Sequence, residues 1–270
     1  MCPAQRTLDI DPPIDRKEQR SRETRERLLL AAEKLYAEEG IGAVSMRRIN
    51  TAANQKNVSA LHYHFGTREA IMEAIFDYRM SQAGARRTEL LEELFDAGLE
   101  SDLRALVHVA IWPLAEQLMA ASQPNYFVRF LAQSHRLPQF DNWLEVRHRN
   151  RQSIVRVYVL IMRAITGMPR SIIHTRAVMA LRHAIYTLAD LDRLIEERHS
   201  AKRDEMVEFY ANDLIDIVTA ELSAPMSSAT ERAYAAMQPY DGDGEVTLFG
   251  LDTLQAHQRS SARRMRSKRG

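Results

Sequence analysis

Ser59, His62, Tyr63 and His64 stand at helical spacing within NVSALHYHFGTR (57–68), and each can exchange hydrogen bonds with a ligand. The surrounding residues limit which ligand. Residues 40–68 contain no aspartate or glutamate, where the chain average would place about four. The same stretch keeps Arg47, Arg48, Lys56 and Arg68. Short hydrogen-bonding side chains among cations, with acids excluded, suit a polyanion better than a metabolite. A metal site fits poorly. His62 and His64, two residues apart, point to different sides of a helix, and no third ligand is nearby. No GxSxG, GxGxxG, P-loop or HExxH pattern occurs, and the acids of DGDGE (241–245) lack the order of a calcium loop. No catalytic residue, metal or cofactor is assigned, and the chain reads as a non-enzyme.

Composition narrows the setting. A net charge of +1 on 270 residues excludes a uniformly basic coat, so affinity for nucleic acid has to come from a local patch. Cys2 is the single cysteine, which rules out an internal disulfide and a thiolate cage. The first residues lack the apolar core of a signal peptide, and the longest apolar run, VYVLIMRAI, is broken by Arg163. The expectation is a soluble, cytoplasmic protein with no membrane partner. Glycine and proline are sparse and fall mostly between periodic segments, which predicts an all-α fold.

The elements that must hold the polar residues follow from periodicity. Leu28, Ala32, Leu35 and Tyr36 form one stripe of a helix over 22–39, which Gly40 and Gly42 end, and the capping-box spacing of Asp15 and Glu18 could start it earlier. Ser45 caps a short helix over 46–53. Asn54-Gln55-Lys56 turns the chain, and Asn57 caps a second short helix whose apolar face is Val58, Leu61 and Phe65. Thr67 caps a helix over 68–83. Beyond Gly84 the spacing predicts longer helices near 87–97, 102–121, 125–136, 139–166, 170–196 and 203–222, with Pro113 kinking or splitting the second of these. From Ser223 the pattern fails, and residues 259–269 end the chain with six cations. The expected organisation is a flexible arm (1–20), a helix-turn-helix head (21–66), a larger helical domain (67–222) and a partly disordered basic tail (223–270).

In a helix-turn-helix the first helix crosses the DNA backbone and the second enters the major groove. Ser59 and Ala60 are small enough for close approach to bases. Asn57, Ser59 and His62 can hydrogen-bond. Lys56 and the free N–H groups of the helix start suit phosphate, as do Tyr63 and His64 at the far edge and Arg68 at the start of the next helix. With Ser45, Arg47, Arg48 and Thr67, these are the candidate DNA contacts. The basic tail and an N-terminal arm with Arg16, Lys17 and Arg20 could add non-specific affinity.

The segments RLLLAAEKLYAEEGIGAVSMRRI (27–49) and NVSALHYHFGTREAI (57–71) resemble the DNA-binding domain of the TetR family of bacterial transcriptional regulators. The order Tyr63-His64-Phe65-Gly66-Thr67-Arg68-Glu69 is similar to that family's usual ending. The turn departs from the pattern by being one residue longer and lacking the usual glycine, and His62 stands where many members carry tyrosine. The resemblance implies a homodimer on a palindromic operator, with a small-molecule pocket and the dimer interface in the C-terminal domain. There Trp112, Met119, Phe127, Phe130, Trp143, Tyr158, Met162, Met179 and Tyr186 offer adaptable apolar surface, with His183, Arg129 and Arg182 placed to orient a polar group. Their character suggests a lipophilic or aromatic effector. Two stripes, Val178-Leu181-Ile185-Leu188-Ile195 and Val207-Tyr210-Leu214-Ile217, are the expected dimer face. The alternative reading is an all-helical carrier or enzyme that uses its N-terminal helices only for packing.

Overall fold

The computed structural model describes residues 16–55, 59–119, 125–135, 137, 152–198 and 202–237, and the elements seen there are helical. Helix α1 (Arg16–Glu39) begins six residues before the expected start, near the capping-box spacing at Asp15 and Glu18. Its first three turns are mostly exposed. From Leu28 onward its apolar stripe (Leu28, Leu29, Ala32, Leu35, Tyr36) is buried, and Gly40 ends it at φ +85°. Helices α2 (Met46–Ala52) and α3 (Ala60–His64) pack on each other and on α1, burying Ile49 and Leu61 completely.

Helix α4 (Arg68–Asp96) departs from expectation. The stop anticipated at Gly84 does not occur, and the segments expected at 68–83 and 87–97 are one helix. A glycine inside a helix costs only about 1 kcal/mol. Ala83, Leu90, Leu91 and Leu94 continue one buried face past Gly84, and that packing outweighs the cost. The result is mechanical: α4 packs on α1 at its start and on the C-terminal helices farther along.

Helix α5 (Leu103–Ala115) holds Pro113 in its last turn and ends in a single 3-10 turn (Glu116–Leu118). Proline removes one backbone N–H, and so near a helix end the loss shortens the helix instead of splitting it. Then come α6 (Phe127–Ser134), α7 (Gln152–Ala164), α8 (Arg170–Arg198) and α9 (Arg203–Ser223). Residues 139–151 of the long helix expected before Ala164 lie outside the described residues. Helix α10 (Ser228–Met237) corrects the expectation that periodicity ends at Ser223. The Ser227 hydroxyl accepts from the Thr230 N–H at 3.2 Å, and the Tyr234 and Ser171 hydroxyls are 2.9 Å apart, joining α10 to α8.

Two sets of contacts join head to body. The first is aromatic. Tyr36 of α1 stacks on Phe130 at 6.3 Å, and Phe76 of α4 meets Phe127 edge-on at 5.8 Å. The second is ionic and buried. Glu33 of α1 accepts two hydrogen bonds from Arg79 of α4, at 2.8 and 3.0 Å, and a third from the Tyr126 N–H at the start of α6, at 2.8 Å. Two residues into α6, Arg129 reaches Asp192 and Glu196 of α8, each at 2.7 Å, and Asp192 also holds Arg203 of α9 at 3.1 Å. Helix α6 is therefore gripped by the head on one side and by the body on the other.

Candidate nucleic-acid interface

The local sequence dictates the reading head's geometry. Ser45 caps α2 by accepting from the Arg48 N–H at 3.2 Å. At the other end Asn54 takes a left-handed conformation, φ +54°. The Gln55 N–H then reaches the Asn50 carbonyl at 2.9 Å, and the Asn54 N–H reaches Thr51 at 3.0 Å. That pair of bonds closes a helix, and it requires a residue that tolerates positive φ. Asparagine is the next choice after glycine because its side chain hydrogen-bonds locally. Asn54 therefore occupies the position of the missing turn glycine. Asn54→Gly should leave thermal stability unchanged or slightly higher, whereas Asn54→Val should lower it by about 1–2 kcal/mol. Denaturant melts of the two variants check this.

Helix α3 is shorter than expected, and its two faces separate cleanly. Ala60 and Leu61 are buried, while Ser59 and His62 are exposed and Tyr63 is 83% exposed. The Ala60 methyl packs into the head, with 8% of the residue left exposed. His64 is half-covered, and burial, together with the nearby Arg25 charge, holds its imidazole below the usual histidine range. It is a neutral ring near neutral pH. Phe65 lies under the Arg25 guanidinium at 4.8 Å, an anchor from α1 that periodicity on α3 alone could not reveal. Gly66 ends the helix at φ +76°, and Thr67 caps α4 by accepting from the Ala70 N–H at 3.2 Å.

The cations divide by what holds them. Arg47 is exposed and makes no ion pair among the described residues. Arg48 is clamped by Glu39, with Nε 2.8 and 3.0 Å from the two carboxylate oxygens. This carboxylate lies just outside the acid-free stretch, so a scan of 40–68 misses it. Arg68 is half-buried and donates to the Val44 carbonyl at 3.0 Å, fastening α4 to the loop before α2. Its first role is structural. Lys56 and Asn57 lie outside the described residues. Ser45, Arg47, Ser59, His62 and Tyr63 remain exposed on the α2–α3 unit.

The expected effector residues that are described differ in burial and in partners. Phe127 and Phe130 belong to the aromatic core between head and body. Met179 is 52% exposed. His183 pairs with Glu221 of α9 at 3.0 Å, and Arg129 is held by Asp192 and Glu196. Trp112 is half-buried and stacks on His108 at 5.3 Å. Tyr158 meets His174 Nδ1 at 2.7 Å, and Met119, Met162 and Tyr186 are half-buried. Trp143 lies outside the described residues. No group of three or more metal-ligating side chains occurs among the described residues, and none of their helices is long and apolar enough to cross a membrane.

An exposed hydrogen-bonding face on a short helix, seated on a buried apolar face and preceded by a capped partner helix, is the arrangement of a helix-turn-helix, whose second helix can enter a DNA major groove. Residues 28–75 match the family described as bacterial regulatory proteins, tetR family. That match lies within the N-terminal head and the start of α4 and spans 48 of the 270 residues. Among solved structures, the chain is similar to a TetR-family transcriptional regulator from Mesorhizobium loti, with 16% identity, 74% of this chain and 97% of that one covered, and a TM-score of 0.39. It is also similar to RolR in complex with its ligand resorcinol (16% identity, 77% and 97% covered, TM-score 0.38). A TetR-family regulator from Streptomyces coelicolor A3 gives 19% identity, 78% and 99% covered, and a TM-score of 0.33. The comparison with curated proteins found no match.

Proposed function

We propose that this protein is a cytoplasmic, ligand-responsive repressor that binds a palindromic operator as a homodimer through residues 46–65. The observation that carries the reading is the exposed Ser59–His62–Tyr63 face, held out by buried Ala60 and Leu61 within a stretch free of carboxylates. Ser59 and His62 contact base edges. Ser45, Arg47, Tyr63 and the start of α4 at Thr67 face phosphates. Lys56 and Asn57, two to three positions before Ser59 in sequence, complete the set. The head covers residues 21–66, and α4 carries its motion into the helical domain (67–222).

A small apolar effector bound among the C-terminal helices, with Trp112, Tyr158, Met162 and Tyr186 as candidate lining, shifts the balance between DNA-competent and DNA-incompetent spacings. It can do so only by its difference in affinity for the two. Of the two stripes read from sequence, Tyr210 and Ile217 stay exposed. Val178, Ile185, Leu188, Ile195, Val207 and Leu214 are buried within one protomer. The large apolar side chains left exposed on α8 and α9 are Met179, Phe209, Tyr210 and Ile217. A Phe209→Glu, Ile217→Glu variant should elute as a folded monomer in gel filtration at micromolar concentration, where the wild type elutes as a dimer. A monomeric wild type would contradict the interface.

A gel shift with the DNA upstream of the protein's own gene, repeated across a salt series, tests the reading as a whole. Sequence-dependent retardation that weakens steeply with salt is expected. A carrier or enzyme would give none.

A further inference from the structure

Arg87 lies deep in the body on α4, and it is 1% exposed. Among the described residues its one polar contact is a long one: Nη1 stands 3.4 Å from the Ser153 hydroxyl of α7. Its Nε–H is buried with no hydrogen-bond partner, and among the described residues no carboxylate pairs with it. Every other deeply buried arginine described here is treated differently. Arg79 has Glu33, and Arg129 has Asp192 and Glu196. A guanidinium stays protonated in a folded protein, so burial without a counter-charge costs several kcal/mol. Burial alone pulls the Arg87 proton affinity down, to about 10, which still leaves the group charged at neutral pH. An apolar side chain of similar length would serve packing better here. Among the described residues nothing balances this charge, and an anion from outside the chain would do so.

The surroundings select the anion. Ala83, Leu90, Leu91 and Leu94 share the buried face of α4 with Arg87, and Val157 and Ile161 line the buried side of α7 beyond Ser153. These neighbours suit an apolar body. One guanidinium balances one negative charge and matches the two oxygens of a carboxylate in a fork. A phosphate dianion would bring a second charge with no second cation. On the other side of α7, His174 Nε2 is a second buried polar atom without a partner, its Nδ1 being engaged by Tyr158. Ser153 and Tyr158 are five residues apart, about 7.5 Å along the helix axis. Two unsatisfied groups therefore flank one helix.

We propose that Arg87 is the anchor of an effector site and that the effector is an apolar monocarboxylic acid, its carboxylate paired with the guanidinium. This rests on the ligand-responsive reading above and gives it a chemical class. Because Arg87 lies on the continuous helix whose start packs against α1 of the head, pairing at Arg87 bears directly on α4.

The test uses the full chain and its Arg87→Met and Arg87→Lys variants in thermal unfolding. The probes are sodium benzoate, sodium decanoate and inorganic phosphate at constant ionic strength, with benzamide and decanamide as uncharged controls. Without ligand, Arg87→Met should unfold at a higher temperature than the wild type, because an unpaired buried charge has been removed. At least one carboxylate should raise the wild-type unfolding temperature by several degrees while its amide does not, and this gain should be absent in Arg87→Met and reduced in Arg87→Lys. No gain from either carboxylate, equal gains in wild type and Arg87→Met, or a gain from phosphate alone would overturn the proposal. A gel shift scores the parent reading separately. If the wild type retards no DNA, the regulator reading fails, while the carboxylate-dependent unfolding shift still decides the Arg87 site.

Discussion

Glu33→Ala should lower folding stability by about 3–5 kcal/mol, the largest single loss expected outside the apolar core. Glu33 is fully buried and receives three hydrogen bonds, two from Arg79 and one from the Tyr126 backbone. Removing the carboxylate strands a guanidinium that is itself 92% covered, and it leaves the α6 start with an unanswered N–H. The cost lies in the stranded partner. Glu33→Leu combined with Arg79→Leu should therefore recover most of the loss, since a well-packed apolar pair replaces a buried ion pair at little net cost. Chemical denaturation of the single and double variants measures the difference. The double variant should also uncouple the head from α6, so that it still binds DNA but responds less to an effector. If the two single losses simply add, Glu33 and Arg79 do not act as a pair.

Expected changes in DNA binding form the second large effect, and they divide by residue. Ser59→Ala and His62→Ala should each cost about 1–3 kcal/mol on the preferred site and little on unrelated duplexes, because a lost base contact is lost only where the right base stands. Arg47→Ala should weaken binding to all duplexes and lower the salt slope by about 0.9, the signature of one phosphate contact. Arg68→Ala is a poorer probe of phosphate binding, since it also removes the hydrogen bond to Val44 that seats α4. Arg48→Ala should have a smaller effect than Arg47→Ala, with its guanidinium already engaged by Glu39. Fluorescence anisotropy across salt concentrations separates the two arginines. Equal salt slopes for Arg47→Ala and wild type would remove Arg47 from the phosphate set.

What the sequence disclosed tracks the range over which each interaction acts. Helix positions set by i, i+4 stripes and by caps were readable: Ser45, Thr67 and Gly66 sit where their chemistry places them. The two-faced character of α3 was readable, and Ala60, singled out in the sequence for its small size, is buried. Gly84 misled because a local helix breaker was outweighed by packing farther along the same face. Interactions between residues distant in the chain left no local trace. Glu33 with Arg79 and Tyr126, Arg129 with Asp192, and Arg25 over Phe65 join positions that no periodicity links. The apolar residues offered for a pocket show the same limit. Size and hydrophobicity put Phe127, Phe130 and Met179 in one class, and the fold sends two to the junction core and one to the surface. Arg87 gave no signal at all, since an arginine between apolar residues on a helix is ordinary until its burial is known.

Selection of bound duplexes from a random DNA library, by the wild type and by Ser59→Ala and His62→Ala, tests the central claim most directly. The wild type should enrich one motif with two symmetric halves, and each variant should lose preference at defined positions repeated in both halves while keeping the rest. No enriched motif with the wild type, or one motif shared unchanged by all three proteins, would contradict the assignment of α3 as the element that reads bases.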